Sequence, residues 1–403
     1  MKTCTTSNTI HCWEDIDFKL AEKRVKKLQK RIADAWQLGF HDKSMALQHT
    51  LIHSIYAKAL AVKVVTTNKG KYTPGVDGIL WITPEDKWQA VLSLNRRGYR
   101  PRPLRRIYIG KPNGKKRPLS IPTMKDRAMQ TLYRLALEPV EEVTADTNSY
   151  GFRPERCTRD AITKCVEVLS EHPKPEWILE ADIQACFDNI SHEWMMEHIP
   201  MDRNILWKML KSRCVRGHRL YPMERGIPQG GCVSTVICNM VLDGLEKELN
   251  NQFQSGIQLI RYADDFIIIG SSRNVLMKSV LPMVKAFLSQ RGLELSPEKT
   301  DVTHIQDGIN FLGWNVSRTK DGILVRPSRR NIQSLLDKLE KLICTDTYKS
   351  SEELLKILWP VLAGWVNYHK GIVGCSLYDI VIPALRRMAR GRPLAEQAVS
   401  FFG

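Results

Sequence analysis

The chain has 403 residues, with 60 Lys and Arg against 43 Asp and Glu and a formal net charge of +17. That length excludes small disulfide-scaffold peptides and allows two or three structural units around a substantial core. The excess of positive charge points to a polyanionic partner, nucleic acid first and an anionic membrane surface second. The 10 cysteines are scattered with no C-x-x-C pair, so a zinc ribbon or thioredoxin-like site has no support and reduced intracellular thiols are expected. Met1 to Trp13 is polar and Thr-rich, and no apolar run reaches transmembrane length. A cytoplasmic protein without membrane association is the expectation.

Residues 14–66 predict two helices, because Ile16, Leu20, Val25, Leu28, Ile32 and Trp36 recur at helical spacing. Lys23, Arg24, Lys26, Lys27, Lys30 and Arg31 fill the other face. Thr67 to Gly78 is rich in turn residues and marks a joint. The stretch 96–117 then packs in Arg96, Arg97, Arg100, Arg102, Arg105, Arg106, Lys111 and Arg117 among prolines, glycines, Tyr99 and Tyr108. Extended basic backbone of this kind suits a phosphate-cradling loop, although a solvated charged hairpin has the same composition.

Helices follow over Asp126 to Ala145 and Thr158 to Ser170, and Trp177 to Asp182 reads as a buried strand ending in a carboxylate. Cys232 to Leu249 predicts one long amphipathic helix. Gln258 to Ile269 predicts two strands joined at an acidic turn, and Phe311 to Trp314 a short hairpin. After Arg326 the pattern is helical, with Ile332, Leu335, Leu336, Leu339 and Leu342 on one stripe, then Leu354 to Tyr368 and Ala384 to Phe402.

Asp264 and Asp265 interrupt a strongly apolar stretch, and Asp182 ends another. A surface turn would tolerate an Asp-Asp pair. Neighbouring carboxylates drawn into an apolar setting are costly without a cation, and two-metal phosphoryl transfer needs hard oxygen ligands converging on cations roughly 4 Å apart.

Tyr262-Ala263-Asp264-Asp265 resembles the signature of reverse transcriptases, and the context RYADDFIIIG is similar to that of group II intron-encoded enzymes. The resemblance continues in order through Arg117 to Thr123 (RPLSIPT) with Asp126-Arg127, Ser149 to Pro154 (SYGFRP), Asp182 to Ser191 (DIQACFDNIS), Gly226 to Gly231 (GIPQGG), Leu295 to Thr300 (LSPEKT) and Phe311 to Trp314 (FLGW). It implies an α+β right-hand polymerase: fingers and a palm with antiparallel sheet, then an α-helical thumb or maturase region. Residues 1–66 would be a basic helical N-terminal extension, 67–325 the fingers and palm, and 326–403 a shortened thumb.

By the same resemblance Asp182, Asp264 and Asp265 are catalytic and, with the carbonyl of Ile183, hold two Mg2+ ions, for which Mn2+ could substitute. Lys111, Arg117, Gln229 and Lys299 would bind the incoming nucleotide, and Phe187 would act as the gate against a ribose 2′-hydroxyl, with a plain core aromatic as its alternative. Arg105, Arg106, Gly313 and Trp314 would contact primer and template, while packing in the palm is an equal reading for the Trp314 side chain. Trp359, Trp365 and Tyr368 read as interhelical packing.

The implied partners are an RNA template, a DNA or RNA primer, deoxynucleoside triphosphates and structured intron RNA. Relatives commonly continue into a DNA-binding segment and a Cys/His-rich nuclease, neither of which can be assigned before Gly403. Ser234-Thr235 stands where relatives often have Ser-Pro. Besides an intron-associated reverse transcriptase, a splicing-only cofactor and a detached cellular enzyme serving antiviral defence or repair remain open, as does the oligomeric state.

Overall fold

The computed structural model describes residues 10–110, 114, 116–171, 175–217, 219–253, 256–345, 348–372 and 377–402. Three helices come first among the described residues, Phe18–Gln37, His41–His53 and Ile55–Thr67, one more than the two expected. The periodicity hides the break because Ser54 is a single extended residue, and Leu51 and Ala57 on either side of it are buried in one core. Asp17 fixes the start of the first helix by accepting the Lys19 and Leu20 N–H groups, as an N-cap carboxylate does.

Among the described residues eleven strands follow. They are β1 (Leu104–Gly110), β2 (Lys116–Ile121), β3 (Trp177–Asp182), β4 (Cys214–Arg216), β5 (Arg219–Tyr221), β6 (Ile257–Tyr262), β7 (Asp265–Gly270), β8 (Asp301–His304), β9 (Ile309–Phe311), β10 (Trp314–Thr319) and β11 (Gly322–Pro327). The central sheet has the order β6-β7-β3-β8 and is antiparallel throughout. A second sheet, β2-β1-β4-β5, carries the basic hairpin, and β9, β10 and β11 make a third, small antiparallel sheet. The hairpin sheet departs from the antiparallel expectation at one place, where β1 runs parallel to β4. The chain between β2 and β4 passes through the whole of β3 and several helices, and so long a crossover permits parallel pairing.

The central sheet explains why Phe266 to Ile269 is apolar without alternation. Leu179, Leu259, Phe266 and Ile268 enter one core shared with the N-terminal helices. Ile178, Ile260, Ile267 and Ile269 enter a second, against the helix Thr158–Ser170 and the small sheet. A strand covered on both faces reads as a continuous hydrophobic run, and each buried Ile stabilises the fold by roughly 1.5–3 kcal/mol.

Two predicted long helices are divided. The segment Cys232 to Leu249 forms Ser234–Leu242 and Leu245–Phe253, because Asp243 is extended and Gly244 takes a positive φ of 94°. The segment after Ala384 forms Leu377–Ala389 and Pro393–Ser400, with Gly391 at φ 79° and Pro393 at the first helical turn. Helices Arg329–Cys344, Ser351–His369 and these last two share a third core through Leu335, Leu339, Leu358, Leu385 and Ala398. Among the described residues no helix is long and apolar enough to cross a membrane, and the described cysteines are free thiols.

Candidate active site

β3 and β7 lie side by side with Asp182 directly opposite Asp265. The β6–β7 turn holds Ala263 at a φ of 58°, a left-handed conformation that is strained for a residue with a Cβ. Asp264 follows it at the mouth of the same cleft, so the sheet brings the three predicted carboxylates together. Burial pushes the Asp264 carboxyl up, as does the negative charge of Asp182, while the charges of Arg117 and Lys299 pull it down. Asp265 is exposed along the cleft, yet it is pushed up to about 6, first by partial withdrawal from water and then by Asp264 and Asp182. Mutual repulsion among these acids is the condition a cation relieves.

Lys299 donates to Asp182 Oδ2 at 2.6 Å, which raises the lysine's own pKa. The contact is solvent-exposed and weak as a source of stability. Next to Asp182, Ile183 faces Leu295 across a single bridge. The flanking bonds run from Gln184 N–H to the Glu294 carbonyl and from Ser296 N–H to the Asp182 carbonyl, so the Ile183 carbonyl points away from that neighbour. Among the described residues no group of three or more acidic, His or Cys side chains already surrounds one metal position. The donor chemistry nevertheless fits a hard divalent cation, with three carboxylates and a free-facing carbonyl in one cleft.

After Asp182 the chain turns sharply through Ala185, at φ 45°. Phe187 is then half-buried and sits edge-on to Phe152, ring centres 6.2 Å apart. Its backbone carbonyl accepts the Ile227 N–H at 2.6 Å, and Gln229 donates to Asp188 Oδ2 at 3.2 Å. The Pro-Gln-Gly turn is thus fastened to the segment after β3, and the Gln229 carbonyl also accepts the Ser120 N–H of β2. His192, buried, hydrogen-bonds the Gly226 carbonyl through Nε2 at 2.8 Å.

The β1–β2 register sorts the basic residues. Arg105 and Arg117 share the face that carries Leu119, and Leu119 packs where Gly230 has no side chain. Arg106 lies on the opposite face, with its guanidinium against Cys214 Sγ at 3.2 Å. The two adjacent arginines therefore stand on opposite faces of the hairpin. Lys111 lies outside the described residues.

Gly313, at φ 85°, forms the β9–β10 turn with Leu312. An open cavity of about 990 Å³ runs from Asp265 past Leu312 and Gly313 to Arg326 and Arg329. The Trp314 side chain is not on it: it is 0% exposed, stacked on Tyr368 with ring centres 4.5 Å apart. For the Trp314 side chain the structure favours the packing alternative over contact with primer and template, because β10 turns alternate residues inward and the Tyr368 hydroxyl, donating to the Leu312 carbonyl at 2.8 Å, closes the turn over it. Trp365 donates to Asn331 Oδ1 at 2.5 Å, a packing role as expected, while Trp359 is 52% exposed and stacks on Phe402.

Sequence reading missed what supports the acidic turn. Gly151 is pressed against it so closely that a Cβ there would stand 2.2 Å from the Ala263 nitrogen. Tyr150 N–H donates to the Arg261 carbonyl and Arg261 N–H to the Asn148 carbonyl, both at 2.9 Å. Arg261 is itself buried and ion-paired to Asp243. The available signal was an arginine in the apolar strand Gln258 to Tyr262 and an asparagine, Asn239, within the apolar helix Ser234–Leu242.

An antiparallel sheet that gathers three carboxylates, with the charge of Arg117 from the basic hairpin acting on them, is the arrangement of a polymerase palm. The description "Reverse transcriptase (RNA-dependent DNA polymerase)" matches residues 109–316, the N-terminal domain of reverse transcriptase matches 13–94, and the group II intron maturase-specific domain matches 332–390. The chain belongs to the reverse transcriptase (RNA-dependent DNA polymerase) family and is of the group II intron type. Its kind is an RNA-directed DNA polymerase that works with a divalent metal and binds an RNA template.

Among curated relatives, Protein YkfC of Escherichia coli (strain K12) is 28% identical over 342 residues, covering 73% of this chain and 89% of the relative. Group II intron-encoded protein LtrA of Lactococcus lactis subsp. cremoris is 27% identical over 354 residues, 70% of this chain and 59% of LtrA. Maturase-like protein 1 of Euglena gracilis is 26% identical over 370 residues, 87% of this chain and 76% of the relative. Apo telomerase from Candida tropicalis is a solved structure with TM-score 0.46 and 12% identity, covering 76% of this chain and 65% of that one.

Proposed function

We propose that this protein copies RNA into DNA by extending a DNA or RNA primer with deoxynucleoside triphosphates, and that Asp182, Asp264, Asp265 and the Ile183 carbonyl hold two Mg2+ ions. The observation that carries the reading is the register that sets Asp182 opposite Asp265 beside Asp264, with charge from Arg117 and Lys299 reaching the same carboxylates. Bound there, the cation pair would activate the primer 3′-hydroxyl and neutralise the triphosphate, and Mn2+ could replace Mg2+. Arg117 would offset negative charge on the phosphates, and Lys299, paired with Asp182 here, would be free to face the nucleotide once that carboxylate holds a cation. Gln229, steadied by Asp188, lies against the nucleotide sugar. The cavity from Asp265 to Gly313 and Arg329 is the path of the primer end.

Residues 1–66 would be the basic extension, 67–325 fingers and palm, and 326–403 the thumb. The maturase-specific match favours structured intron RNA as a further partner, bound through the basic helices.

The raised Asp265 pKa fixes a pH dependence. Its carboxyl takes up a proton as pH falls through about 6, so cation affinity drops below that value. The Mg2+ concentration for half-maximal extension should rise roughly fourfold between pH 7.5 and pH 5.5, the ratio set by the ionised fraction; an unchanged requirement would remove Asp265 from the metal set. In the metal-free protein the sign for folding follows from the same shift. Ionising Asp265 costs stability as pH climbs from 3.8 towards about 6.

Phe187→Ala opens the space above the sugar. Discrimination against ribonucleotides, read as the ratio of kcat/KM for dNTP and rNTP, should fall on the order of 100-fold, equal to about 2.7 kcal/mol of differential binding. Unchanged sugar selectivity would reduce Phe187 to a packing residue.

A further inference from the structure

Asn239 is 0% exposed in the helix Ser234–Leu242, and its hydrogen bonds go to Glu141, Gly151 and Arg261, not to the three carboxylates of the cleft. Its amide nitrogen donates to the Gly151 carbonyl at 2.8 Å and to Glu141 Oε1 at 3.0 Å. Its amide oxygen faces Arg261 Nη1 at 3.4 Å. Those two partners both hold the acidic turn: Gly151 is packed onto Ala263, and Arg261, paired with Asp243 through Nη2, donates from Nη1 to the Ala263 carbonyl at 3.4 Å.

The cluster is a poor investment in stability. Glu141 Oε2, Ser149 Oγ, Asp243 Oδ2 and Arg261 Nε are all buried without a hydrogen-bond partner among the described residues, and each such atom destabilises the fold. Buried polar groups of this kind gain geometric definition instead. The turn they define holds Ala263 in a strained left-handed conformation, which persists only where the surroundings over-determine it.

We infer that Asn239 is a positioning residue: through Gly151 and Arg261 it sets the height of the Ala263-Asp264 turn over Asp182, and so the spacing of the metal-holding carboxylates. Gly151 has no side chain with which to fix itself, and Arg261 reaches the Ala263 carbonyl with the same Nη1 that faces Asn239 Oδ1, so Asn239 ties the two holds on the turn together. The inference rests on Asp264 being a metal ligand.

The test is steady-state extension on an RNA template by the full chain, comparing wild type, Asn239→Ala and Asp264→Ala, with melting curves and RNA affinity for each. Folded Asn239→Ala should lose roughly 30- to 100-fold in kcat, keep the dNTP KM within about threefold, and need about fivefold more Mg2+ for half-maximal rate. A purely structural role would lower melting temperature and active fraction while leaving the Mg2+ requirement unmoved, and that pattern overturns the inference. If Asn239→Ala does not fold, the isosteric Asn239→Asp loses the same donor to Gly151, and the same two outcomes apply. An inactive Asp264→Ala beside a fully active Asn239 variant refutes the positioning role alone, whereas an active Asp264→Ala refutes the metal assignment beneath it.

Discussion

Asp264→Ala should lower primer extension on the order of 1000-fold or more, the equivalent of about 4 kcal/mol of barrier, and leave RNA affinity nearly unchanged. The two effects separate because they come from different parts of the molecule. Asp264 sits at the end of the β6–β7 turn in the acidic cleft, where burial and the charge of Asp182 raise its pKa, and its removal takes one oxygen donor from the cation pair. RNA affinity comes from the excess of 60 Lys and Arg over 43 Asp and Glu, through release of counterions from phosphates, and losing one carboxylate does not weaken it. Filter binding and extension on the same preparation read both. Full activity in this variant would end the assignment of the cleft as the catalytic centre.

Gly151→Ala should be nearly as damaging, although residue 151 carries no chemistry. An added Cβ would meet the Ala263 nitrogen at 2.2 Å, the Tyr262 carbonyl carbon at 2.8 Å and the Ala263 Cβ at 2.9 Å. Two of these contacts are backbone, so relief must come from moving the catalytic turn or the Ser149 to Phe152 segment. The latter is tied by Arg153, which donates to the Asp146 and Ser149 carbonyls and is ion-paired to Glu142. A displacement of the turn by about 1 Å costs on the order of 100-fold in rate, and overpacking of this kind destabilises by roughly 1–3 kcal/mol. The expected result is a folded protein with a lowered melting temperature and kcat reduced by about two orders of magnitude. Wild-type kcat in Gly151→Ala would mean that the turn tolerates movement and that its strained geometry is incidental.

Much of this molecule was legible in its residues, for identifiable reasons. The strands around Asp182, Asp264 and Asp265 could be read because buried strands leave apolar runs and the acids punctuate them, and the register then put Asp182 opposite Asp265. Breaks in helices were less legible. Ser54 interrupts two segments that bury the same side of the chain, so the periodicity passes through it unmarked. Asp243-Gly244 was overlooked because the reason for the break is tertiary: Asp243 leaves the helix to meet Arg261, which is 18 positions away in the chain.

Facing was the other gap. Arg105 and Arg106 are equivalent as neighbours in a basic run, and their place in strand β1, where successive side chains alternate, assigns them to opposite sides of the hairpin. Trp314 follows a turn that lines the open cavity, yet its ring is covered by Tyr368 from a helix more than fifty residues later. The network of Asn239, Glu141, Arg261 and Asp243 left only faint marks, polar residues in apolar segments, since its meaning lies in which backbone atoms it reaches.

The most direct test of the central claim is extension of an annealed primer on an RNA template by the wild-type chain with deoxynucleoside triphosphates, with and without Mg2+. Product that lengthens to the template end, that requires the cation and that is absent with Asp264→Ala is the predicted result. Tight RNA binding without any cation-dependent DNA product from the wild type would contradict the polymerase reading and leave a protein that only binds RNA.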